Sequence, residues 1–327
     1  MWIYSFPMSY SWRGLSVDIA RSFFGPDVLT RLVDRIADLG LNRLHLHLSD
    51  DQGWRLEIPG RPELTALSGR TAVTGGSGGF LSVGDYAALV EHADARGVVV
   101  VPEIDLPGHV NAALHACPEL NPDGRAPAAY SGAEVGFSYL RVDRPQTEEF
   151  LRDVLGAVAA LTPGPWLHIG GDECPLLSAA DYGTLVRLAA GIVAENGKQP
   201  VAWQEGAAAS LGAGLVLQFW QTAEDPRDSR AKLLEQVAAG ADVILSPASH
   251  TYFDHKCAPE DALGQDWAGT LPVAKVRDWR PADTLPIDPA RILGVEAAIW
   301  TELIHTPADL DAMLFPRLEA FAQVVNR

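Results

Sequence analysis

The chain has 327 residues, of which 25 are Lys or Arg and 42 are Asp or Glu, so its formal net charge is −17. This acidic balance, without any cluster of basic residues, argues against a nucleic acid or an anionic membrane surface as partner. Hydrophobic residues make up 47% of the chain and charged residues 20%, a composition that is typical of a globular protein with a large core and excludes a disordered chain.

Eight short apolar runs are predicted to be β-strands. Their apolar positions are nearly continuous, which is typical of parallel strands buried on both faces. In chain order they are Gly14–Ile19, Arg43–Leu48, Val98–Glu103, Trp166–Ile169, Val201–Trp203, Leu215–Phe219, Asp242–Leu245 and Ile292–Val295.

Amphipathic helices are predicted between these strands, at Pro26–Leu39, Val83–Arg96, Thr147–Leu161, Ala179–Glu195, Asp228–Ala239 and Ala308–Val325. Eight strands that alternate with helices indicate an α/β protein with a single-domain (β/α)8 barrel, and we expect this barrel to occupy residues 1–327. A doubly wound open sheet is the alternative, but no G-x-G-x-x-G turn follows the first strand.

The N-terminal segment Met1–Pro7 lacks the basic stretch and continuous apolar stretch of a secretory signal. We therefore expect either a cytoplasmic location or export of a chain from which the signal has been removed. No apolar run reaches the ~18 residues needed to span a bilayer, so no membrane partner is expected. The three cysteines, Cys117, Cys174 and Cys257, match no zinc pattern and allow at most one disulfide.

Polar and aromatic side chains follow the predicted strand ends, where barrel enzymes build their sites. A single Asp at such a position is usually a helix cap or a loop anchor. Carboxylates at most strand ends, with tryptophans at three of them, are instead typical of a carbohydrate site, because indole faces stack on the C–H faces of sugars. The set includes Asp18, Arg21, Asp50, Trp54, Glu103, His109, Asp172, Glu173, Trp203, Glu205, Trp220, Tyr252, Asp254, Trp300 and Glu302.

Two other groups suggest different chemistry. His45 and His47 are spaced to point to one face of the second strand and resemble a metal pair. We favour barrel-interior histidines, because two Asp follow them rather than further His, and we interpret His168 in the same way. Cys174 follows Glu173 but has no His base in its motif, so we interpret it as a buried thiol. We expect no metal and no cofactor.

Five motifs, in the same order along the chain, resemble those of the family-20 glycoside hydrolases, the β-N-acetylhexosaminidases. They lie at residues 13–21, 45–54, 102–109, 168–173 and 294–302 and cover nearly the whole chain. The resemblance implies a retaining exo-hydrolase that removes terminal β-linked N-acetylglucosamine or N-acetylgalactosamine from a small molecule or oligosaccharide. In this family the acetamido oxygen of the substrate attacks the anomeric carbon and forms an oxazolinium intermediate, without a nucleophilic carboxylate of the enzyme.

The resemblance also implies roles for individual residues. Glu173 would be the general acid and later the general base, Asp172 would accept a hydrogen bond from the acetamido N–H, and Tyr252 would donate to the acetamido carbonyl. The other positions would shape the sugar site: Trp203, Trp220 and Trp300 around the acetyl methyl, Arg21, Asp254 and Glu302 at the outer hydroxyls, Asp50 and His109 in a network near Glu173, and Trp267 against the leaving-side sugar.

The chain departs from the family pattern in three places. Gln204 stands where many relatives have an acidic residue, which leaves the role of Glu205 open, and Ser22 occupies a position that is often His. We also expect the barrel to begin almost at the start of the chain, without the small α+β domain that commonly precedes it in this family. Two alternatives stay open: a metal-dependent amidohydrolase that uses His45 and His47, and a barrel that binds N-acetylhexosamine without cleaving it.

Overall fold

The computed structural model describes residues 10–222 and 229–326. Eight parallel strands close a barrel in which each strand pairs with its neighbours in sequence, and the first strand pairs with the last. The strands are β1 (Trp12–Asp18), β2 (Arg43–His47), β3 (Val99–Glu103), β4 (Trp166–His168), β5 (Gln199–Trp203), β6 (Val216–Phe219), β7 (Val243–Leu245) and β8 (Ile292–Ile299). The predicted eight strands and (β/α)8 barrel are confirmed.

Helices surround the barrel and connect its strands. They are α1 (Pro26–Asp38), α2 (Pro62–Ser68), α3 (Val83–Ala95), α4 (Asn111–Ala116), α5 (Pro145–Leu161), α6 (Ala179–Glu195), α7 (Arg230–Ala238), α8 (Ala248–Thr251), α9 (Val273–Arg277), α10 (Pro307–Leu314) and α11 (Arg317–Val325). In α1, Leu29, Leu32, Val33 and Ile36 are buried at the spacing of one helix face. None of the described helices is both long enough and apolar enough to cross a membrane.

The single helix predicted over Ala308–Val325 is wrong. The structure has two helices there, with Phe315 and Pro316 between them. Proline has no backbone N–H and its ring clashes with the preceding turn, so a helix cannot continue through Pro316 without a break. The helix predicted from Asp228 is described from Arg230 onward. Asp228 itself, like the segment Met1–Pro7, lies outside the described residues.

The two ends of the barrel differ. Trp12 and Trp166 are the first residues of β1 and β4, and their rings meet edge to face with centroids 5.0 Å apart. Trp12 also belongs to a buried cluster with Val101, Val201 and Ile244 inside the barrel. These side chains fill the N-terminal end, whereas the long segments 104–144 and 246–291 follow the C-terminal ends of β3 and β7.

Candidate active site

A cavity of about 410 Å³ opens at the C-terminal end of the barrel. This volume lies in the range of about 300–1,000 Å³ that is usual for small-molecule sites. Nine of the residues singled out from the sequence line it: Arg21, Asp172, Glu173, Trp220, Tyr252, Asp254, Trp267, Trp300 and Glu302. Three further residues line it and were not predicted from the sequence, because nothing in their long loops distinguishes them: Ala133, Val135 and Gln265. Asp50, His109 and Trp203 are not among the lining residues.

Asp50 and His109 form a buried link behind the cavity. Asp50 Oδ2 lies 2.8 Å from Arg21 Nη2, and Asp50 Oδ1 lies 3.2 Å from His109 Nδ1. The other ring nitrogen of His109, Nε2, lies 3.6 Å from Asp172 Oδ2 and 3.6 Å from Glu173 Oε2. The structure therefore brings these predicted network residues next to the acidic pair.

The turn after β4 directs Asp172 and Glu173 into the cavity. Gly170 and Gly171 have φ angles of +65° and +108°, and Glu173 itself has a φ of +49°. A Cβ atom on Gly170 would lie 1.7 Å from Asp105 Oδ1, so only glycine fits there. The same Asp105 oxygen accepts from the Gly171 N–H at 3.2 Å. Asp105 and the two glycines thus hold the acidic pair in a conformation that most residues avoid.

Burial works against the Asp172 anion, whereas the neighbouring His109 favours it. Burial raises the pKa of Asp172 to about 6, although the neighbouring His109 lowers it. Burial alone would lower the pKa of His109, but the carboxylates of Asp50, Asp105 and Asp172 raise that pKa well above its ordinary value. His109 is therefore a cation beside the pair. Asp172 Oδ1 is buried and has no hydrogen-bond partner within residues 10–222 and 229–326.

Aromatic rings form one wall of the cavity. Trp220 and Tyr252 stack with an interplanar angle of 12° and centroids 6.4 Å apart, and Trp267 meets both of them edge to face. Trp267 is 51% exposed and lies at the rim. Trp203 is only 1% exposed and packs behind the lining, with its ring centroid 5.8 Å from that of Trp300. The wall therefore has an inner layer, Trp203, that supports it without lining the cavity.

The structure shows what Gln204 and Glu205 do after β5. Glu205 Oε2 accepts from the Trp220 indole N–H at 3.1 Å, and burial together with the Asp172 carboxylate raises the pKa of Glu205 to about 8. The Gln204 side-chain oxygen accepts from the backbone N–H groups of Trp220 and Gln221, while its amide nitrogen donates to Gln221. A carboxylate at position 204 would lack that donor. Both side chains hold Trp220 in the wall.

Charged groups line the part of the cavity next to Trp300. Arg21 is buried and lies 3.6 Å from Asp18 Oδ2 through its Nη1 atom, in addition to its contact with Asp50. The pKa of Glu302 is raised to about 7, mainly by burial. The Arg21 cation lowers this pKa, and the carboxylates of Asp18 and Asp254 raise it further. This part of the cavity therefore offers one cation and several carboxyl oxygens to hydroxyl groups of a ligand.

The arrangement of the barrel histidines weighs against the metal interpretation. His47 lies between two carboxylates, with Nδ1 2.6 Å from Glu103 Oε2 and Nε2 2.7 Å from Asp50 Oδ2. His45 likewise lies 2.8 Å from Glu296 and 3.1 Å from Glu103. Burial opposes protonation, but these carboxylates raise the pKa of His45 to about 9 and that of His47 well above its ordinary value. A ring that is protonated on both nitrogens has no lone pair for a metal.

None of the three cysteine thiols lines the cavity. Cys117, Cys174 and Cys257 are all free. Cys174 Sγ donates to the backbone carbonyl of Asp172 at 3.1 Å, and burial raises the pKa of its thiol. A protonated thiol is a poor nucleophile, which agrees with the prediction that Cys174 is not a nucleophile, although its side chain is only partly buried and not buried as predicted.

Comparison with known proteins adds independent information. The sequence model described as glycosyl hydrolase family 20, catalytic domain, matches residues 10–180 and 177–325. A β-N-acetylhexosaminidase of Cellulomonas fimi is 46% identical over 96% of this chain and 63% of its own length. A β-hexosaminidase of Vibrio furnissii is 33% identical over 96% of this chain and 56% of its own length. The chain therefore spans about 63% and 56% of the lengths of these two relatives.

Solved structures show the same similarity. An N-acetyl-β-hexosaminidase of Streptomyces plicatus in complex with Thio-NAglucal has 45% sequence identity and a TM-score of 0.94, covering 96% of this chain and 63% of that one. A mutant of the same enzyme in complex with the product GlcNAc has 44% identity and a TM-score of 0.93 over 96% of this chain and 63% of its own. The match along the barrel confirms the predicted family: the chain belongs to glycosyl hydrolase family 20.

Proposed function

We propose that this chain is a retaining exo-β-N-acetylhexosaminidase that hydrolyses terminal β-linked N-acetylglucosamine or N-acetylgalactosamine by substrate-assisted catalysis. One observation carries the proposal: Asp172 presents a buried acceptor atom without a partner, Oδ1, beside Glu173 in a cavity of sugar size. A buried acceptor is costly unless a ligand satisfies it. An acetamido N–H is a donor that does so.

Three groups bind the acetamide in this proposal. The Asp172 carboxylate accepts from the N–H, and the Tyr252 hydroxyl donates to the carbonyl oxygen. Burial and the nearby carboxylates raise the pKa of Tyr252 well above its ordinary value, so the phenol keeps its proton. The wall of Trp220 and Trp300 encloses the methyl group. Together these contacts hold the carbonyl oxygen against the anomeric carbon, which replaces a bimolecular encounter with a fixed geometry.

Glu173 performs both proton transfers. It donates its proton to the glycosidic oxygen while the acetamido oxygen bonds to the anomeric carbon and the bond to the leaving oxygen breaks. The oxazolinium that results carries its positive charge beside the Asp172 anion, which stabilises it. Glu173, now a carboxylate, removes a proton from a water molecule whose oxygen attacks the anomeric carbon. The oxazolinium ring opens, the acetamide is restored and the β configuration is retained.

The remaining predicted residues orient the sugar. Arg21, Asp254 and Glu302 bind its outer hydroxyls, and Trp267 at the rim stacks against the leaving-side sugar. Asp50 and His109 link Arg21 to the acidic pair. The names of the relatives support this assignment, since they are β-N-acetylhexosaminidases and a related structure holds GlcNAc. We also propose that residues 1–327 form a single catalytic domain, because the described elements close one barrel.

The proposal is tested with paired aryl β-N-acetylglucosaminide, β-N-acetylgalactosaminide and β-glucoside substrates, with and without a chelator. We expect hydrolysis of one or both acetamido sugars, little of the glucoside and no effect of the chelator. Equal kcat/KM on the glucoside and the N-acetylglucosaminide would refute the acetamide mechanism. Tight binding of N-acetylglucosamine without turnover would instead show a non-catalytic binding barrel, and loss of activity in chelator would favour the metal-dependent alternative.

A further inference from the structure

Glu103 contacts four side chains inside the barrel, and the proposed mechanism gives it no role. It ends β3 and is 0% exposed. Its Oε1 accepts from the Trp203 indole N–H at 2.9 Å and lies 3.0 Å from His168 Nδ1. Its Oε2 lies 2.6 Å from His47 Nδ1 and 3.1 Å from His45 Nε2. Four ring nitrogens from three other strands thus surround one carboxylate.

Two of these partners connect Glu103 to residues that line the cavity. His47 contacts Asp50 at 2.7 Å, and Asp50 holds the guanidinium of Arg21 at 2.8 Å. The Trp203 ring packs against Trp300. Arg21 and Trp300 both line the cavity, and the Arg21 guanidinium carbon lies 5.2 Å from the centroid of the Trp300 ring. The Glu103 carboxylate is therefore one contact removed from Asp50 and from Trp300, although it lines no part of the cavity itself.

We propose that Glu103 is a positioning residue for the hydrolytic reaction. Its carboxylate accepts from Trp203 and His47 together and so sets the aromatic wall and the Arg21 side of the sugar site relative to each other. The inference rests on the proposed function, because the reaction it serves is the one proposed above. Replacing one oxygen by an NH₂ group, as in Glu103→Gln, sets a donor against either the Trp203 N–H or the His47 ring nitrogen from which the carboxylate accepts. At least one of the two branches must then shift.

Glu296 is a matched control within the same barrel. It is also 0% exposed, and it too accepts from an indole N–H, that of Trp12 at 2.7 Å. It lies 2.8 Å from His45 Nδ1 and accepts from the Gln218 amide at 2.9 Å. None of these three partners lines the cavity. Glu296→Gln therefore makes the same chemical change, at the same burial and beside the same kinds of partner, but one contact further from the sugar site, because its partner His45 also contacts Glu103.

The experiment compares Glu103→Gln and Glu296→Gln with the wild type by thermal unfolding, steady-state kinetics on an aryl β-N-acetylglucosaminide and the inhibition constant of a thiazoline mimic of the intermediate. We expect both variants to unfold at lower temperature. Only Glu103→Gln should also lower kcat/KM, by about 10- to 100-fold per folded molecule, since small misplacements of binding groups cost this much. It should weaken binding of the mimic in parallel. Equal kcat/KM for the two folded variants would overturn the proposal.

A second variant covers the case in which Glu103→Gln does not fold. Trp203→Phe keeps an aromatic ring and removes the N–H that donates to Glu103. It should therefore also lower kcat/KM and weaken binding of the mimic. Wild-type affinity and turnover in Trp203→Phe would contradict the proposal. Wild-type hydrolysis is measured first. An inactive wild type refutes the proposed function, whereas an active wild type with an equally active Glu103→Gln variant refutes only the positioning role.

Discussion

Asp172 and Glu173 are adjacent in the chain and share one partner, the His109 ring. Asp172 has one buried oxygen without a partner and another 3.6 Å from the His109 ring. Glu173 shares the contact with His109, and the two side chains keep similar exposed fractions, 15% for Asp172 and 18% for Glu173. The buried acceptor atom of Asp172 is suited to hold an acetamide, and the Glu173 carboxyl group is suited to exchange protons with the leaving oxygen and with water.

Glu173→Gln removes the proton donor while keeping the size of the side chain. We expect kcat/KM to fall by about 10²–10⁴-fold for substrates with a poor leaving group, which is the usual contribution of a general acid. Substrates with a good leaving group, such as a dinitrophenolate, should show a much smaller fall in the rate of the first step, cleavage of the glycosidic bond. Kinetics on a series of aryl leaving groups checks this, and a loss that is independent of the leaving-group pKa would contradict the assignment. Binding of the thiazoline mimic serves as the control for folding.

The acidic limb of the pH profile, the fall in kcat/KM at low pH, should reflect protonation of Asp172. Its pKa is raised to about 6 by burial, and only the anion accepts from the acetamido N–H and stabilises the oxazolinium. We therefore expect kcat/KM to fall as the pH drops through about 6. Asp172→Asn should lower activity at all pH values and lose this limb, because the amide does not titrate. Glu205→Gln, which changes a carboxyl group with a pKa of about 8, should keep the limb. An unchanged acidic limb in Asp172→Asn would count against the acetamide role.

At the scale of elements, the turn after β4 matters most. The β4 strand itself has only three residues, and the conformation of the following turn depends on Gly170 and Gly171, whose φ angles are positive. The turn is fixed from outside by Asp105 and by the Tyr182 hydroxyl, which donates to the Gly171 carbonyl at 2.6 Å. The catalytic geometry therefore depends on contacts from the segment after β3 and from α6 as well as on the local sequence.

Gly170→Ala tests this dependence. The new Cβ would lie 1.7 Å from Asp105 Oδ1 at a φ of +65°, so we expect both stability and kcat to fall. Gly191→Ala in α6 is the matched control, because its Cβ meets nothing within 4 Å. That change should raise the free energy of unfolding by about 0.5–1 kcal/mol, the usual gain for alanine in a helix. Denaturant unfolding and kinetics of both variants check the prediction. Equal stability of the two would show that the turn adapts.

At the scale of the whole molecule, the N-terminal end of the barrel contributes to stability and the C-terminal end to ligand binding. Trp12 fills the N-terminal end, donates its N–H to Glu296 and is 1% exposed. Trp267 lies at the rim of the cavity on the opposite end and is half-exposed. The same residue type should therefore act in opposite ways at the two positions.

Trp12→Ala should lower the free energy of unfolding by about 3–5 kcal/mol, as expected for a large ring removed from a core, while the folded enzyme keeps its KM. Trp267→Ala should change the free energy of unfolding by no more than about 0.5 kcal/mol, as for other surface changes, and raise KM for oligosaccharides more than for aryl glycosides. Thermal unfolding and kinetics on both substrate types separate the two. The reverse pattern would contradict the roles assigned to the two ends.

Local signals in the sequence determined the strand order, most helices, the barrel and the family, because hydrophobic periodicity and contiguous motifs are properties of short segments. The break at Pro316 was also local, although the periodicity on both sides concealed it. Which polar residues line the cavity and which lie behind it was decided only by closure of the barrel. Closure places Trp12 against Glu296, 284 residues away in the chain, and Trp203 against Glu103, 100 residues away. No short motif encodes such contacts, and they distinguish two buried carboxylates that look equivalent in the sequence.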